Sequence, residues 1–329
     1  MAKQIWPRYA QYMTTINTNG SFAEALVRGD IARLADFPKA ERHCHSIFGT
    51  SLQSIADWAD KPIKPPPARM ANLDEMRSYA HSELYPFIRN RSGFEFTAKS
   101  AIAEAIQDGV SILEMSLDVV FVSFYNSGVI GFIDFVQELT RKHAKDLDFR
   151  PEIGVSKNHE PSSRLKSAWE CIESGLFKSL DLYGNEHAQQ PEVYVDLFRS
   201  ARSHGLKLKA HVGEFGGPEL MERTLRVLEL QEIQHGVTAA TSKRLMDVLR
   251  REGIRLNVCP SSNVALSVVK DLANHPIRIL FENGIRVTIN SDDKTIFGKS
   301  TSEEYLGLYQ AGNLTVEELD QIRIDSLKD

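Results

Sequence analysis

From residue 110 onward, short apolar runs alternate with longer amphipathic ones, and this alternation constrains the fold more than any other feature of the chain. Strand patterns fall at 110–117, 149–155, 177–182, 206–212, 232–235, 254–258 and 287–290. Helix patterns lie between them at 127–146, 163–174, 191–204, 218–228, 242–252 and 277–282, with Gly205 and Gly253 as stops. A further strand at 40–45 brings the count to eight. Strands that alternate with helices imply a parallel sheet. Eight such units in one chain of 329 residues imply a closed (β/α)8 barrel of the TIM type. No linker or repeat divides the chain, so 1–329 is expected to be a single domain.

Two segments stand outside the alternation. Residues 1–38 read as a peripheral helical extension, in which Ser21 and Glu24 form a capped start and Gly29 or Asp30 ends the turn. Residues 46–105 follow the first strand as a long polar insertion. Its middle, Lys61 to Pro67, carries four prolines and reads as a stiff extended stretch. Helical patterns flank it at 52–59, 73–85 and 96–108. An insertion of this size after a barrel strand is expected to act as a lid over the site.

Composition narrows the partners. A formal charge of −5 without a dense Lys/Arg run argues against nucleic-acid backbone and acidic membranes. No apolar run is long enough to span a bilayer, and residues 1–12 hold no signal-peptide core. The three cysteines, Cys44, Cys171 and Cys259, form no CxxC pair, so a reducing compartment is expected, without disulfides or a thiolate zinc site. The expected location is the cytoplasm.

Chemistry gathers at the strand ends. The last strand stops at two adjacent acids, Asp292 and Asp293, and an unpaired buried carboxylate is costly. A cation is therefore expected beside them. His43 and His45, two apart on the first strand, point to one side; His211 closes the fifth strand and His235 the sixth. In a barrel all these ends meet at one mouth. Three imidazoles and a carboxylate, His43, His45, His211 and Asp292, suit zinc or another divalent first-row ion, which would lower the pKa of a bound water. Glu214 follows His211 through Gly213, where the chain can turn, and is expected to be a proton donor. His235 would orient or deprotonate the water. Asp293 would accept a hydrogen bond from the water or the substrate.

The stretches His43-Cys44-His45, His211-Val212-Gly213-Glu214, Gln234-His235-Gly236, Val258 to Asn263, His275-Pro276-Ile277 and Asn290 to Asp293 together resemble the adenosine/adenine deaminase family of the metal-dependent amidohydrolase superfamily. The resemblance runs from about residue 38 to 325. It implies one zinc per chain and hydrolytic loss of ammonia from carbon 6 of a purine nucleoside or base. Glu214 would protonate N1, His235 would act on the water side, Asp293 would hold N7, and the Gly184 N–H would meet N3. The partner is then a small heterocycle; oligomeric state is not legible.

The chain also departs from the family. The run His45-Ser46-Ile47-Phe48-Gly49 lacks the acid expected two positions past the second histidine, so Ile47 and Phe48 point to a more apolar subsite. Glu114-Met115-Ser116-Leu117 lacks an expected basic residue, and Lys294 replaces a proline after Asp293. Lys294 is read as a solvated loop residue, the alternative being contact with an anionic substituent. Two other functions stay open: hydrolysis of a different aminated heterocycle on the same scaffold, and a non-catalytic binding barrel.

Overall fold

Along most strands apolar and polar residues alternate, and the two sets serve different partners. In the computed structural model, which describes residues 21–158 and 161–329, the strands are β1 (Lys39–His45), β2 (Val110–Asp118), β3 (Asp148–Ser156), β4 (Ser179–Tyr183), β5 (Lys207–Val212), β6 (Glu232–His235), β7 (Arg255–Val258) and β8 (Arg286–Ile289). They form one parallel sheet in chain order. The sheet nearly closes on itself. A single parallel bridge joins Cys44 to Asp292, the Asp292 N–H donates to the His43 carbonyl at 3.2 Å, and Asn290 Oδ1 accepts from the Arg42 N–H at 2.8 Å. The (β/α)8 expectation holds.

Leu113, Ile153, Leu180, Leu208, Leu256 and Ile289 are buried and belong to the apolar core that also takes in the inner faces of the helices. Their strand neighbours meet one another inside the barrel. Lys209 pairs with Glu114, with Glu152 and, at 3.5 Å, with Glu232. Asn257 donates to Glu232 at 3.1 Å and to Gln234 at 2.8 Å, and accepts from Thr288 at 2.9 Å. Arg42 completes the set by pairing with Glu114 and donating to the Ser326 carbonyl at 2.7 Å. Glu114 is thus answered by bases from β1 and β5.

The helices at Leu52–Ala59, Pro218–Leu228 and Ile277–Glu282 keep the bounds read from the sequence. The Ser21/Glu24 capping box is present, and Gly29 ends its helix at a φ of 67°. Residues 1–20 of the expected N-terminal extension lie outside the described residues. The pattern at 73–85 resolves into three pieces: Leu73–Tyr79, a π-helical turn Ala80–Leu84, and Tyr85–Ile88. The helix expected at 96–108 begins earlier, at Arg91, because Asn90 caps it by accepting from the Gly93 N–H at 2.9 Å. Four α-helices were not read from the sequence, Pro260–Ala265, Lys294–Phe297, Thr301–Gln310 and Val316–Ser326, nor were the 3-10 helices Val119–Phe124 and Val237–Thr241.

The Pro-rich stretch is fastened down at its end. The Met70 N–H donates to the Ala265 carbonyl at 2.7 Å, and Arg69 donates to the Lys270 carbonyl at 2.8 Å. Lys294 is not a solvated loop residue. Its ammonium lies 2.5 Å from Glu104 on the helix Arg91–Gln107, which also receives the Thr50 hydroxyl at 2.6 Å. That pairing corrects the reading of Lys294 and removes it as a partner for an anionic substituent.

Candidate active site

Strand ends place the chemistry. His43 and His45 leave β1 on one side, His211 ends β5, His235 ends β6, and Asp292 sits two residues past Asn290. His235 and Asp292 adopt φ values of 62° and 60°, a left-handed backbone that non-glycine residues rarely take. Such strain, of order 1–3 kcal/mol, persists where surroundings over-determine it. Here it turns the imidazole and the carboxylate toward the cluster.

The rings crowd together. His43 lies with its ring centre 4.6 Å from that of His211 and 4.7 Å from that of His235. His45 Nε2 is 3.3 Å from His211 Nε2 and 3.6 Å from Asp292 Oδ1, while His43 Nε2 is 3.4 Å from the same oxygen. Ligand atoms approach within 4.8 Å in three overlapping groups: His43, His45 and His211; His43, His235 and Asp292; His45, Asp292 and Asp293. Neither ring nitrogen of His43 makes a hydrogen bond, although both are buried. Burial, reinforced by neighbouring imidazoles, drives His45 down to about 3 and His235 well below its ordinary value. Burial works against ionisation of Asp292, but the adjacent His43 overrides it and holds the carboxyl low. Burial opposes the charge on His43, but Asp292 overrides it and raises the imidazole, so the carboxylate already draws a cation to this spot. Imidazole nitrogens and carboxylate oxygens within 4.8 Å of one another are a donor set for a divalent cation. The residues present fit a metal.

Around this cluster stand groups that orient it. Asp181 Oδ1 lies 3.1 Å from His211 Nδ1, which leaves Nε2 for the centre. Glu186 accepts three backbone N–H groups, from Gly213 at 2.8 Å, Glu214 at 3.0 Å and Phe215 at 2.7 Å. It thereby fixes the turn that carries Glu214. Glu41 accepts from the Ser291 N–H at 2.9 Å and the Thr301 hydroxyl at 2.6 Å, bracing the residue before Asp292. Asn263 donates toward Glu214 Oε1 and His235 Nδ1, each at 3.3 Å. His275 orients that amide: it accepts the Ile277 N–H at Nδ1 and turns Nε2 to Asn263 Oδ1 at 3.2 Å.

Sequence reasoning assigned no role to Asp181, Glu186 or Glu41. An acid flanked by Leu180 and Leu182 in a buried strand was the available signal for Asp181.

Glu214 and Asp293 differ from Asp292. Burial, then the charges of Asp292 and Glu186, push Glu214 well above the usual carboxylate range. Burial and the Asp292 charge do the same to Asp293, whose Oδ1 has no partner. Both line a cavity of about 500 Å³, together with His45, Ile47, Phe48, Gly184, His211 and His235. Gly184 has a φ of 98°, and a Cβ there would run to 2.6 Å from the Asn158 side chain. Phe48 stacks near Tyr85, with ring centres 6.0 Å apart. Leu73, Met76 and Arg89 from the insertion also line the cavity.

Comparison with known proteins decides the family. The family model described as "Adenosine deaminase" matches residues 77–329. The chain belongs to the adenosine deaminase family. A Treponema pallidum protein named "Putative adenosine/adenine deaminase" is 32% identical over 278 residues, covering 84% of this chain and 93% of its own. The structure of an adenine deaminase from Arthrobacter aurescens superposes with a TM-score of 0.74 at 21% identity, over 88% of this chain and 93% of its own. An amidohydrolase from Burkholderia ambifaria, solved with bound Zn, gives 0.73 at 18% identity, over 95% and 89%. The deaminase is therefore a hydrolytic enzyme on a (β/α)8 barrel. Among its described residues, no helix is long and apolar enough to cross a membrane.

Proposed function

We propose that this deaminase hydrolytically removes the 6-amino group of a purine nucleoside or base, using one zinc ion held by His43, His45, His211 and Asp292. The observation that carries the reading is one cavity in which His45, His211 and Asp292 converge beside Glu214, a carboxyl that burial pushes well above its usual range, next to a buried His43 with neither ring nitrogen hydrogen-bonded. When bound, the metal supplies Lewis acidity that brings the pKa of water toward neutrality. The chain's own groups do the rest. Glu214 delivers its proton to purine N1 as water adds at carbon 6. His235, whose Nδ1 accepts from the Asn263 amide, turns its Nε2–H to the cluster and orients the water. Asp293 offers its unpartnered Oδ1 to the N7 edge, and the Gly184 N–H faces N3. Ile47 and Phe48 form an apolar wall, and residues 46–105 act as the lid that excludes water.

The three cysteines are free and buried, which fits the cytoplasm as location.

The test is ammonia release from a panel of 6-aminopurines, aminopterins and nucleosides. Release from a 6-aminopurine is expected. Glu214→Gln should cut the rate by about 10²–10⁴ with metal content unchanged. Elemental analysis should find about one divalent ion per chain, depleted in His211→Ala and Asp292→Ala. Undiminished turnover in Glu214→Gln, or full metal in both ligand variants, would overturn the reading.

A further inference from the structure

Two guanidinium groups in the cavity wall make no ion pair among the described residues. Arg89, just past the helix Tyr85–Ile88, and Arg164, on the helix Pro161–Glu173, both line the cavity. Among the described residues neither makes an ion pair or hydrogen bond, and Arg164 Nη1 is buried without any partner. A third arginine of the same wall, Arg77, is engaged with Asp74 at 3.4 Å. Arg89 contacts only an aromatic face, its guanidinium carbon 5.2 Å from the centre of the Tyr85 ring.

The carboxyl nearest in charge to Arg164 is Asp118, and it is already occupied. Its Oδ1 accepts the Val120 N–H at 2.7 Å, and its Oδ2 meets the Tyr183 hydroxyl. Burial raises Asp118 to about 7, so at neutral pH it is a weak counter-ion. Burial works against the Arg164 cation, Asp118 partly offsets this, and the Arg89 charge adds to the burial effect. Like charges left together facing a cavity are unfavourable unless an anion completes them.

Position gives the pair a function. The Tyr183 ring is 5.3 Å from the His45 ring, and its hydroxyl reaches Asp118, the carboxyl on which the Arg164 charge acts. Both arginines line the same cavity as His45, His211 and His235, and among the described residues neither is bonded to that cluster. We infer that the substrate carries an anionic group, phosphate or carboxylate, on the side of the heterocycle away from the reacting amine, and that Arg164 and Arg89 bind it. This inference rests on the purine-deamination reading and names the substrate class within it. A guanidinium fork suits either oxyanion through paired N–H donors.

The experiment measures kcat/KM of the metal-loaded enzyme for adenine, adenosine, adenosine 5′-monophosphate and 9-(2-carboxyethyl)adenine. At least one anionic member should exceed both neutral ones by about tenfold or more, the scale of a charge-assisted hydrogen bond. Which of the two does so distinguishes phosphate from carboxylate. In Arg89→Gln/Arg164→Gln that ratio should collapse toward one, Arg164→Lys should keep part of it, and added salt should erode it in the wild type. Equal or better turnover of the neutral members, or a ratio untouched in the double variant, would overturn the inference while leaving deamination standing.

Equilibrium binding of inosine, inosine 5′-monophosphate and 9-(2-carboxyethyl)hypoxanthine reads the same subsite without turnover. If no aminopurine releases ammonia yet an anionic member binds about tenfold tighter in an arginine-dependent way, deamination fails and the anion site stands. If neither anionic member binds tighter than inosine, the anion site fails on its own.

Discussion

Asp181 acts on the site without lining the cavity. Its carboxylate faces His211 Nδ1 at 3.1 Å; burial opposes its ionisation, but the interaction and hydrogen bond with His211 hold its pKa low. With that hydrogen bond in place His211 presents Nε2 to the cluster; without it, the ring is free to turn or to take the other tautomer. Second partners of this kind are worth about 10–100-fold in metal affinity. Asp181→Ala is therefore expected to bind its metal about 10–100-fold more weakly, read by competition with a chromogenic chelator. Wild-type affinity would show that Asp181 is only a packed acid. That His43, His45, His211, His235, Asp292 and Asp293 come together was legible in sequence because each lies late in a strand or follows one, and a barrel brings all strand ends together. Asp181 and Glu186 were not, because their partners lie 27–30 positions away and only the register of neighbouring strands brings them into reach.

Elements read well where their period is long and poorly where a cap or a turn decides. The helix Pro218–Leu228 was legible to the residue. The short helices after β7 and β8 were not, since six and four residues show no periodicity. The helix Thr301–Gln310 is anchored by its own capping box, in which Ser300 and Glu303 bond reciprocally. It also fixes the start of Pro260–Ala265: Glu304 Oε2 accepts the Ser261 N–H at 3.1 Å, while Oε1 has no partner. Burial raises Glu304 to about 8. An acid whose folded pKa is raised binds its proton more tightly in the folded state. Its contribution is full below the unfolded value, near 4.5, and is lost as pH rises through about 8. Glu304→Gln cannot ionise, so its stability should rise relative to wild type between about pH 5 and 8, by at most about 1.4 kcal/mol per pH unit. Urea unfolding of both proteins across that range checks it; a constant difference would mean Glu304 stays ionised throughout.

At the scale of the whole molecule, the barrel is apolar outside its strands and polar within them. The outer alternation made the eight-unit architecture legible, since Leu, Ile and Val recur wherever a helix covers the sheet. The interior was not legible as a network, because nothing in the spacing of Glu114, Glu152, Lys209 and Glu232 says that four strands bring them to one point. Lys209 is their hub, fully buried, and its three carboxylates hold it strongly protonated against the burial that opposes this. Removing one partner of a buried ion group costs about 3–5 kcal/mol, since the remaining charges stay desolvated and uncompensated. Lys209→Met should therefore unfold at markedly lower urea, with the loss near that size. Glu152 is the carboxylate to pair with it, because burial already raises it to about 7. In Lys209→Met/Glu152→Gln one of the stranded charges is gone, so part of the loss should return, and the double-mutant cycle should show coupling of at least about 1 kcal/mol. Additive losses would mean that Lys209 and Glu152 do not share their charge, and that the barrel interior is held by its hydrogen-bonded amides, Gln234, Asn257 and Asn290, instead.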